Sequence, residues 1–335
     1  MRLPDRYEAW RGLRGRCVVA IGTFDGLHTG HRTILREMVL FAHQTGLASV
    51  AMTFEPHPPQ VLGADSLRSQ RLTSPQAKLR LLQQSGVDHL AVLEFSEQMA
   101  KTEAEDFVRR NLVEPLAPKH VFVGFNFHFG SGGRGNPELL RRMGEDLGFA
   151  VRVFQPQLGY NGSVVSSTSV RTALDAGQFT EALRLLGRPY RLEGLVVKGD
   201  RRGRGMGFPT ANVAPARSLL APGQGVYAGW VGTGPDGVWP AVINSGSRPT
   251  FDAANASGNR LEAHLIGYSG ELYGKPIEVL FVGRIRSEQR FASSEALREQ
   301  IARDVVTARR LLRLDDRPGD PSVNQVADCR RNPGG

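Results

Sequence analysis

The chain has 335 residues, 40% hydrophobic and 22% charged, enough to bury two cores of ordinary size. No stretch approaches the ~20 apolar residues that a membrane helix needs, and the two cysteines, Cys17 and Cys329, make neither a disulfide framework nor a zinc site. A formal net charge of +9 favours anionic partners, nucleic acid or small phosphorylated molecules, without choosing between them.

The N-terminal segment MRLPDRYEAWRGLRGRC is charged throughout and lacks the apolar core of a secretory signal, so the expected compartment is the cytoplasm. CVVAI (17–21) reads as a buried strand. A helix is expected over 33–44, with Ile34, Leu35, Met38, Val39 and Ala42 on one face and Gly46 closing it. Further apolar runs follow at 47–54, 89–95, 120–125 and 149–154. Between them, Thr102 and Glu105 have capping-box spacing, and Asn136-Pro137 places a cap before a first-turn proline. Strand alternating with helix argues for a parallel sheet covered on both faces.

The rhythm changes near residue 187. Short β-type runs, LEGLVV (192–197), GVYAGWV (225–231), WPAVIN (239–244), LEAHLIGY (261–268) and PIEVLFV (276–282), are separated by Gly- and Pro-rich turns. That pattern suits an antiparallel sandwich or barrel. A helix is expected over 294–314, and residues 315–335 have too little to bury and read as a disordered tail. The expected domains are therefore 1–187 and 188–314. GTGPDG (232–237) satisfies a G-x-G-x-x-G pattern, but it lies between two β-runs and is expected to be a hairpin turn.

GTFDGLHTGH (22–31) joins the first strand to the first helix. Loops at the C-terminal ends of parallel strands are where open α/β sheets bind ligands, and a helix N-terminus there attracts anions. Glycines let a phosphate approach the backbone, and His28 and His31 add donors aimed at the same volume. H-x-x-H is also half of a metal site, but no third ligand pattern such as H-E-x-x-H accompanies it. In SSTSVR (166–171), the hydroxyls of Ser166, Ser167 and Thr168 and the charge of Arg171 open a helix; they suit a second set of phosphate oxygens or an ordinary N-cap.

GTFDGLHTGH resembles the H-x-G-H signature of the adenylyl-transferring nucleotidyltransferases. Its F-D-G-x-H form is similar to that of the prokaryotic bifunctional riboflavin kinase/FAD synthetases. TFEPHP (53–58), VGFNFHFGSGGRGN (123–136) and SSTSVR match the same family. The resemblance implies a Rossmann-like N-terminal domain that transfers AMP from ATP to FMN and releases pyrophosphate. His28, His31 and Arg171 would be catalytic. Gly22, Phe24, Asp25, Gly30, Asn126, Ser166, Ser167 and Thr168 would bind ATP or its phosphates. His57 in EPHP either lines the flavin cleft or rigidifies a turn. Many members read D-F-x-F-G where this chain has Asn126-Phe127, and Arg where it has His128.

In the second half, GDRRGRGMGFPTANV (199–213) is either a basic surface hairpin or a Gly-rich cover for ATP phosphates, followed by oxygen ligands suited to magnesium. GFPTAN, GVYAG, INSGSRPTF (243–251), LEAHLIGYSGELYG (261–274) and RIRSEQRFAS (284–293) occur in the order found in the riboflavin kinase domain. That resemblance implies a six-stranded antiparallel barrel with a terminal helix, making FMN from riboflavin and ATP. Gly203, Gly207, Thr210 and Asn212 would hold ATP, with Thr210 and Asn212 also on Mg2+. Glu262, on its own a solvated strand residue, would be the general base, and Asn244 and Arg286 would line the flavin cleft. Where the family often reads L-D-F, this chain has Ile266-Gly267-Tyr268. The expected partners are riboflavin, FMN, ATP and FAD, with no membrane, no nucleic acid and at most a weak homo-oligomer. Two other readings stay open: an H-x-G-H domain acting on nicotinamide mononucleotide or a pantetheine phosphate, and a basic nucleic-acid-binding protein. The second would need basic residues interleaved with aromatics, and aromatics are only 7%.

Overall fold

Strand β1 (Cys17–Ile21) buries all five of its side chains, as a strand must when both faces of its sheet are covered. The computed structural model describes residues 10–63, 66–160, 162–199, 207–246 and 260–314. Gly203, Cys329 and the expected tail 315–335 lie outside the described residues. Backbone contacts divide the chain into two compact units, Met1–Ser169 and Val170–Gly335. Among the described residues, no helix is long and apolar enough to cross a membrane.

In the first unit, β1 is joined by β2 (Ala48–Glu55), β3 (His89–Glu94), β4 (His120–Gly124) and β5 (Ala150–Phe154) in a parallel sheet of order β3-β2-β1-β4-β5. The chain builds outward from β1 to β3 and then returns to β1's other side with β4. The reversal of strand order therefore falls between β1 and β4, which is where such sheets open a ligand crevice beyond their strand ends. Val19, Ile21, Val50 and Met52 fill the core on one face. On the other, Val18 and Ala20 meet Leu35, Met38 and Ala42 of helix α1 (Thr29–Thr45).

Helix α1 begins four residues before the expected Thr33, so the H-T-G-H segment forms the start of the helix rather than a preceding loop. The cause is an unusual cap: His28 has extended backbone, and its Nδ1 accepts from the His31 N–H. Gly46 closes the helix at φ 66°, as expected. Helix α2 (Pro75–Gln84) starts on a Ser74 cap, and α3 (Pro137–Leu147) starts on the expected Asn136 cap. The capping box at Thr102 and Glu105 is not formed. Glu103 takes the N-cap place without a side-chain bond, because the Thr102 hydroxyl donates back to Gln98 O at 3.1 Å. Helix α4 (Ser167–Asp175) and helix α5 (Phe179–Leu186) follow β5.

The second unit contains a closed antiparallel barrel. Its strands are β6 (Tyr190–Val197), β7 (Ala211–Pro215), β8 (Gly225–Gly232), β9 (Val238–Gly246), β10 (Arg260–Leu265) and β11 (Pro276–Arg286), in the order β10-β7-β6-β11-β8-β9. Tyr190, Tyr227 and Phe281 are fully buried, and Phe179 of α5 packs edge-on against Tyr227. The GTGPDG run is a hairpin connection between β8 and β9, with Thr233 N–H bonded to Gly237 O. Helix α6 (Ser294–Leu311) lays Ala308 against Val226, Ala228 and Val242; it ends three residues before the expected Leu314.

Candidate active sites

The turn between β1 and α1 runs through the left-handed region: Phe24 has φ 50°, Gly26 77° and Leu27 41°. This sharp path brings His28 to the helix cap. The His28 and His31 rings stack with centroids 3.7 Å apart and 20° between planes, and Phe24 meets His31 edge-on at 5.2 Å. A Cβ at position 30 would approach His28 Nδ1 to 3.2 Å, so any larger residue there would press on the capping ring. At Gly22 a Cβ would press on the Phe24 ring, also at 3.2 Å. Burial, and secondarily the charge on His28, pushes His31 well below the ordinary histidine range, and its Nδ1 is buried without a hydrogen-bond partner. Two stacked rings thus sit at a helix N-terminus with little tendency to charge together.

The second phosphate-type segment comes to the same turn. Ser167 Oγ donates to Asp25 O at 2.8 Å, while Ser166 and Ser169 exchange capping bonds at the start of α4. Thr168 is exposed, and Arg171 is buried one helical turn beyond Ser167. Asn126 is exposed just past the end of β4, the strand on the other side of the crevice, and its Oδ1 would lie 3.3 Å from a Cβ at Gly124. His57 is buried and opens the short helix Pro58–Val61. Asp25, counted on sequence among the phosphate binders, is fully buried, and its carboxylate accepts from Leu72 N, Thr73 N and Thr73 Oγ1.

In the barrel, register sets Glu262 of β10 directly between Asn212 of β7 and Asn244 of β9. Residues paired this way share one face of a sheet. Glu262, in the middle of the row, is exposed, while Asn212 is buried and Asn244 half-buried on either side of it. The GFPT segment is fastened beside it: His264 Nδ1 bonds Pro209 O at 2.9 Å, and Phe208 meets the His264 ring edge-on. That leaves Thr210 exposed two residues before Asn212, with Gly207 at φ 81° leading in. Arg286, expected at the flavin cleft, has its guanidinium on the buried Asp304 of α6, with Nη2 2.8 Å from Oδ2.

Residues 12–169 match the FAD synthetase family model and 186–312 the riboflavin kinase family model. The bifunctional riboflavin kinase/FMN adenylyltransferase of Escherichia coli K12 is 40% identical over 299 residues, covering 89% of this chain and 93% of that protein. The chain belongs to the bifunctional riboflavin kinase/FMN adenylyltransferase family. It phosphorylates riboflavin to FMN with its C-terminal riboflavin kinase domain and adenylylates FMN to FAD with its N-terminal FAD synthetase domain. The family member of Bacillus subtilis is 35% identical, over 87% of this chain and 91% of its own length. A crystal structure of a macrolide-efflux protein from Streptococcus pneumoniae superposes with a TM-score of 0.77 at 30% identity, covering 88% of this chain and 93% of that one.

The FAD synthetase domain also holds a charged group that sequence reading missed. Arg71, which is 3% exposed, forks onto Glu55, with Nη1–Oε2 at 2.8 Å and Nη2–Oε1 at 2.5 Å. Lys78 is fully buried and places Nζ 2.6 Å from Glu55 Oε1 and 2.8 Å from Phe54 O. Burial would raise the Glu55 carboxyl, but Arg71 and Lys78 override it and hold it below its usual range. For Lys78 burial wins, and its ammonium is held below the lysine range despite Glu55. The sequence did carry one signal. Lys78 stands four residues before Leu82, on the buried stripe of α2, where a free lysine does not belong.

Proposed function

We propose that adenylyl transfer takes place at the β1/β4 crevice of the FAD synthetase domain with His28 and His31 as its catalytic pair. The observation that carries this reading is the stacked pair capping α1. His28 Nδ1 is occupied by the His31 N–H, so the proton of a neutral His28 ring stands on Nε2, a donor for phosphate oxygen. An FMN phosphate oxygen attacks the α-phosphorus of ATP, the bond to the β-phosphate bridging oxygen breaks, and pyrophosphate leaves. No covalent enzyme intermediate is needed, so catalysis is positioning and neutralisation of charge growing on the leaving group. Gly22 and Gly30 admit the phosphates, and Ser166, Thr168 and Arg171 hold their far side. Ser167 serves the same helix start through its backbone while its hydroxyl proton goes to Asp25 O, and Asn126 meets the nucleotide. His57 borders the cleft from the end of β2.

In the riboflavin kinase domain, Glu262 takes the proton from the riboflavin 5′-hydroxyl as that oxygen attacks the γ-phosphorus of ATP and ADP leaves. Gly203 and Gly207 belong to the cover over the ATP phosphates, and Asn244 lines the flavin side of Glu262. The donor set beside Glu262 fits magnesium: a Thr210 hydroxyl and an Asn212 amide oxygen are hard ligands, and magnesium completes its shell with water and substrate phosphates. When bound, the ion would neutralise phosphate charge. The boundary at residue 187 rests on the change of sequence rhythm there, whereas contacts part the chain after Ser169; the enzyme is assigned to the cytoplasm.

The test is a time course of flavin products from the purified chain with riboflavin, ATP and magnesium. FMN should appear first and FAD after it, and a chelator should stop FMN formation. A chain that makes FAD from FMN at full rate after His28→Ala refutes the reading of the first site.

A further inference from the structure

Phe24 and Leu27 hold positive φ values of 50° and 41°, a region that bulky residues keep only when neighbouring structure imposes it. The imposing group is Asp25. Its carboxylate, with the residue 0% exposed, accepts from Leu72 N at 2.9 Å, Thr73 N at 3.1 Å and Thr73 Oγ1 at 3.0 Å. Gly26 N donates to the same Thr73 hydroxyl at 3.3 Å. The 72–73 segment is itself fixed. Arg71 Nε donates to Thr73 O at 3.0 Å, and the rest of its guanidinium is locked on Glu55 at the end of β2, where Lys78 joins. On its other side, the Asp25 carbonyl takes the Ser167 hydroxyl.

We infer that Asp25 is a positioning residue for adenylyl transfer: through its carboxylate and carbonyl it keeps the His28/His31 turn in register with the Ser166–Ser169 helix start. Asp25, Arg71 and Lys78 are buried and their charged ends are taken up by protein partners, so this group holds the site's two halves rather than touching substrate. The inference rests on the reading of His28 and His31 as the adenylyl-transfer pair.

The test uses Asp25→Asn, in which an amide NH2 must face N–H donors that the carboxylate accepted. Adenylyl transfer from ATP to FMN should lose at least tenfold in kcat, with KM for ATP changed less than about threefold. Riboflavin phosphorylation by the same chain should be unchanged, and unchanged hydrogen-exchange protection of the β1 amides serves as the folding control. Ser167→Ala should lose less, and the double variant should be no worse than Asp25→Asn alone, because both substitutions release one register. Losses that multiply, a loss confined to KM for ATP, or an unchanged kcat would each overturn the inference. Should Asp25→Asn fail to fold, Thr73→Val decides by the same split: a kcat loss of threefold or more supports it and an unchanged kcat overturns it. Full adenylyl transfer by His28→Ala would instead bring down the underlying site reading, a result separable from all of these.

Discussion

His28 and His31 stack ring on ring at 3.7 Å while the first caps the helix that carries the second. A substitution of His28 therefore alters a helix cap and an aromatic contact together, besides the phosphate contact proposed for it. The arrangement also opposes simultaneous protonation, since two imidazolium rings face to face would repel with little water between them. The pair is suited to donating hydrogen bonds as neutral rings, with the α1 N-terminus supplying the fixed positive field.

The first prediction concerns acid stability. His31 is held below the usual histidine range by burial and then by His28. As pH falls below about 6.5, the unfolded chain binds a proton that folded His31 refuses, so stability is complete above that pH and falls below it. The slope from this one residue is at most about 1.4 kcal/mol per pH unit. Hydrogen exchange of the α1 amides, without ATP, should show this loss between pH 7.5 and 5.5. His31→Asn should flatten it, and an equally steep loss in the variant would contradict the assignment.

The two reactions should separate by mutation. His28→Ala should lower FAD formation by roughly 10²–10³-fold, the cost of removing one preorganised donor, while FMN accumulates. Glu262→Gln should lower riboflavin phosphorylation by about 10²–10⁴-fold, the usual worth of a placed base, and leave adenylyl transfer of supplied FMN untouched. Flavin products separated by chromatography give both numbers from one reaction mixture.

Cys17 tests the burial of β1. Burial pushes its thiol up to about 12, and its Sγ lies 3.8 Å from Leu116 O, so almost no thiolate exists at neutral pH. Native protein treated with iodoacetamide should carry no label on Cys17 by peptide mass spectrometry. Labelling should begin only at denaturant concentrations that unfold the FAD synthetase domain.

Much of this architecture was legible because it is local. CVVAI announces a strand covered on both faces, Gly46 and Asn136 announce helix ends, and the GTGPDG turn is betrayed by the β-runs on either side. What stayed hidden depends on partners distant in sequence. Asp25 reads as a phosphate-loop residue until Leu72 and Thr73, 47 and 48 positions away, are seen to take its carboxylate. The Thr102 box failed for a related reason: the hydroxyl that the spacing assigned to one helix donates to Gln98 O of the preceding short helix, Glu97–Ala100. Arg286 looks like a cleft residue in RIRSEQRFAS, and only the fold supplies Asp304 to occupy it.

Arg286 separates anchoring from flavin binding. Its Nε and Nη2 both reach the Asp304 carboxylate, at 3.0 and 2.8 Å, and Asp304 is 2% exposed on α6. A lysine reaches the carboxylate with a single ammonium and cannot reproduce the fork. Arg286→Lys should lower the melting temperature of the riboflavin kinase domain by an amount matching about 1–3 kcal/mol. KM for riboflavin should stay unchanged. A raised KM with an unchanged melting temperature would return Arg286 to the flavin cleft.

The last prediction weighs the buried charges against one another. Glu55 is the shared partner of Arg71 and Lys78, so Glu55→Gln leaves two buried cations facing a neutral amide. Removing one side of a buried ion pair costs about 3–5 kcal/mol, because the remaining charge is stranded out of water. Lys78→Met is milder. Glu55 keeps the Arg71 fork, the methionine chain fills the lysine stem, and the chief loss is the bond to Phe54 O, about 1–3 kcal/mol. Hydrogen exchange of β1 and β2 amides should therefore rank Glu55→Gln as less stable than Lys78→Met. The opposite order would mean that Lys78, rather than Glu55, is the centre on which the charged group balances.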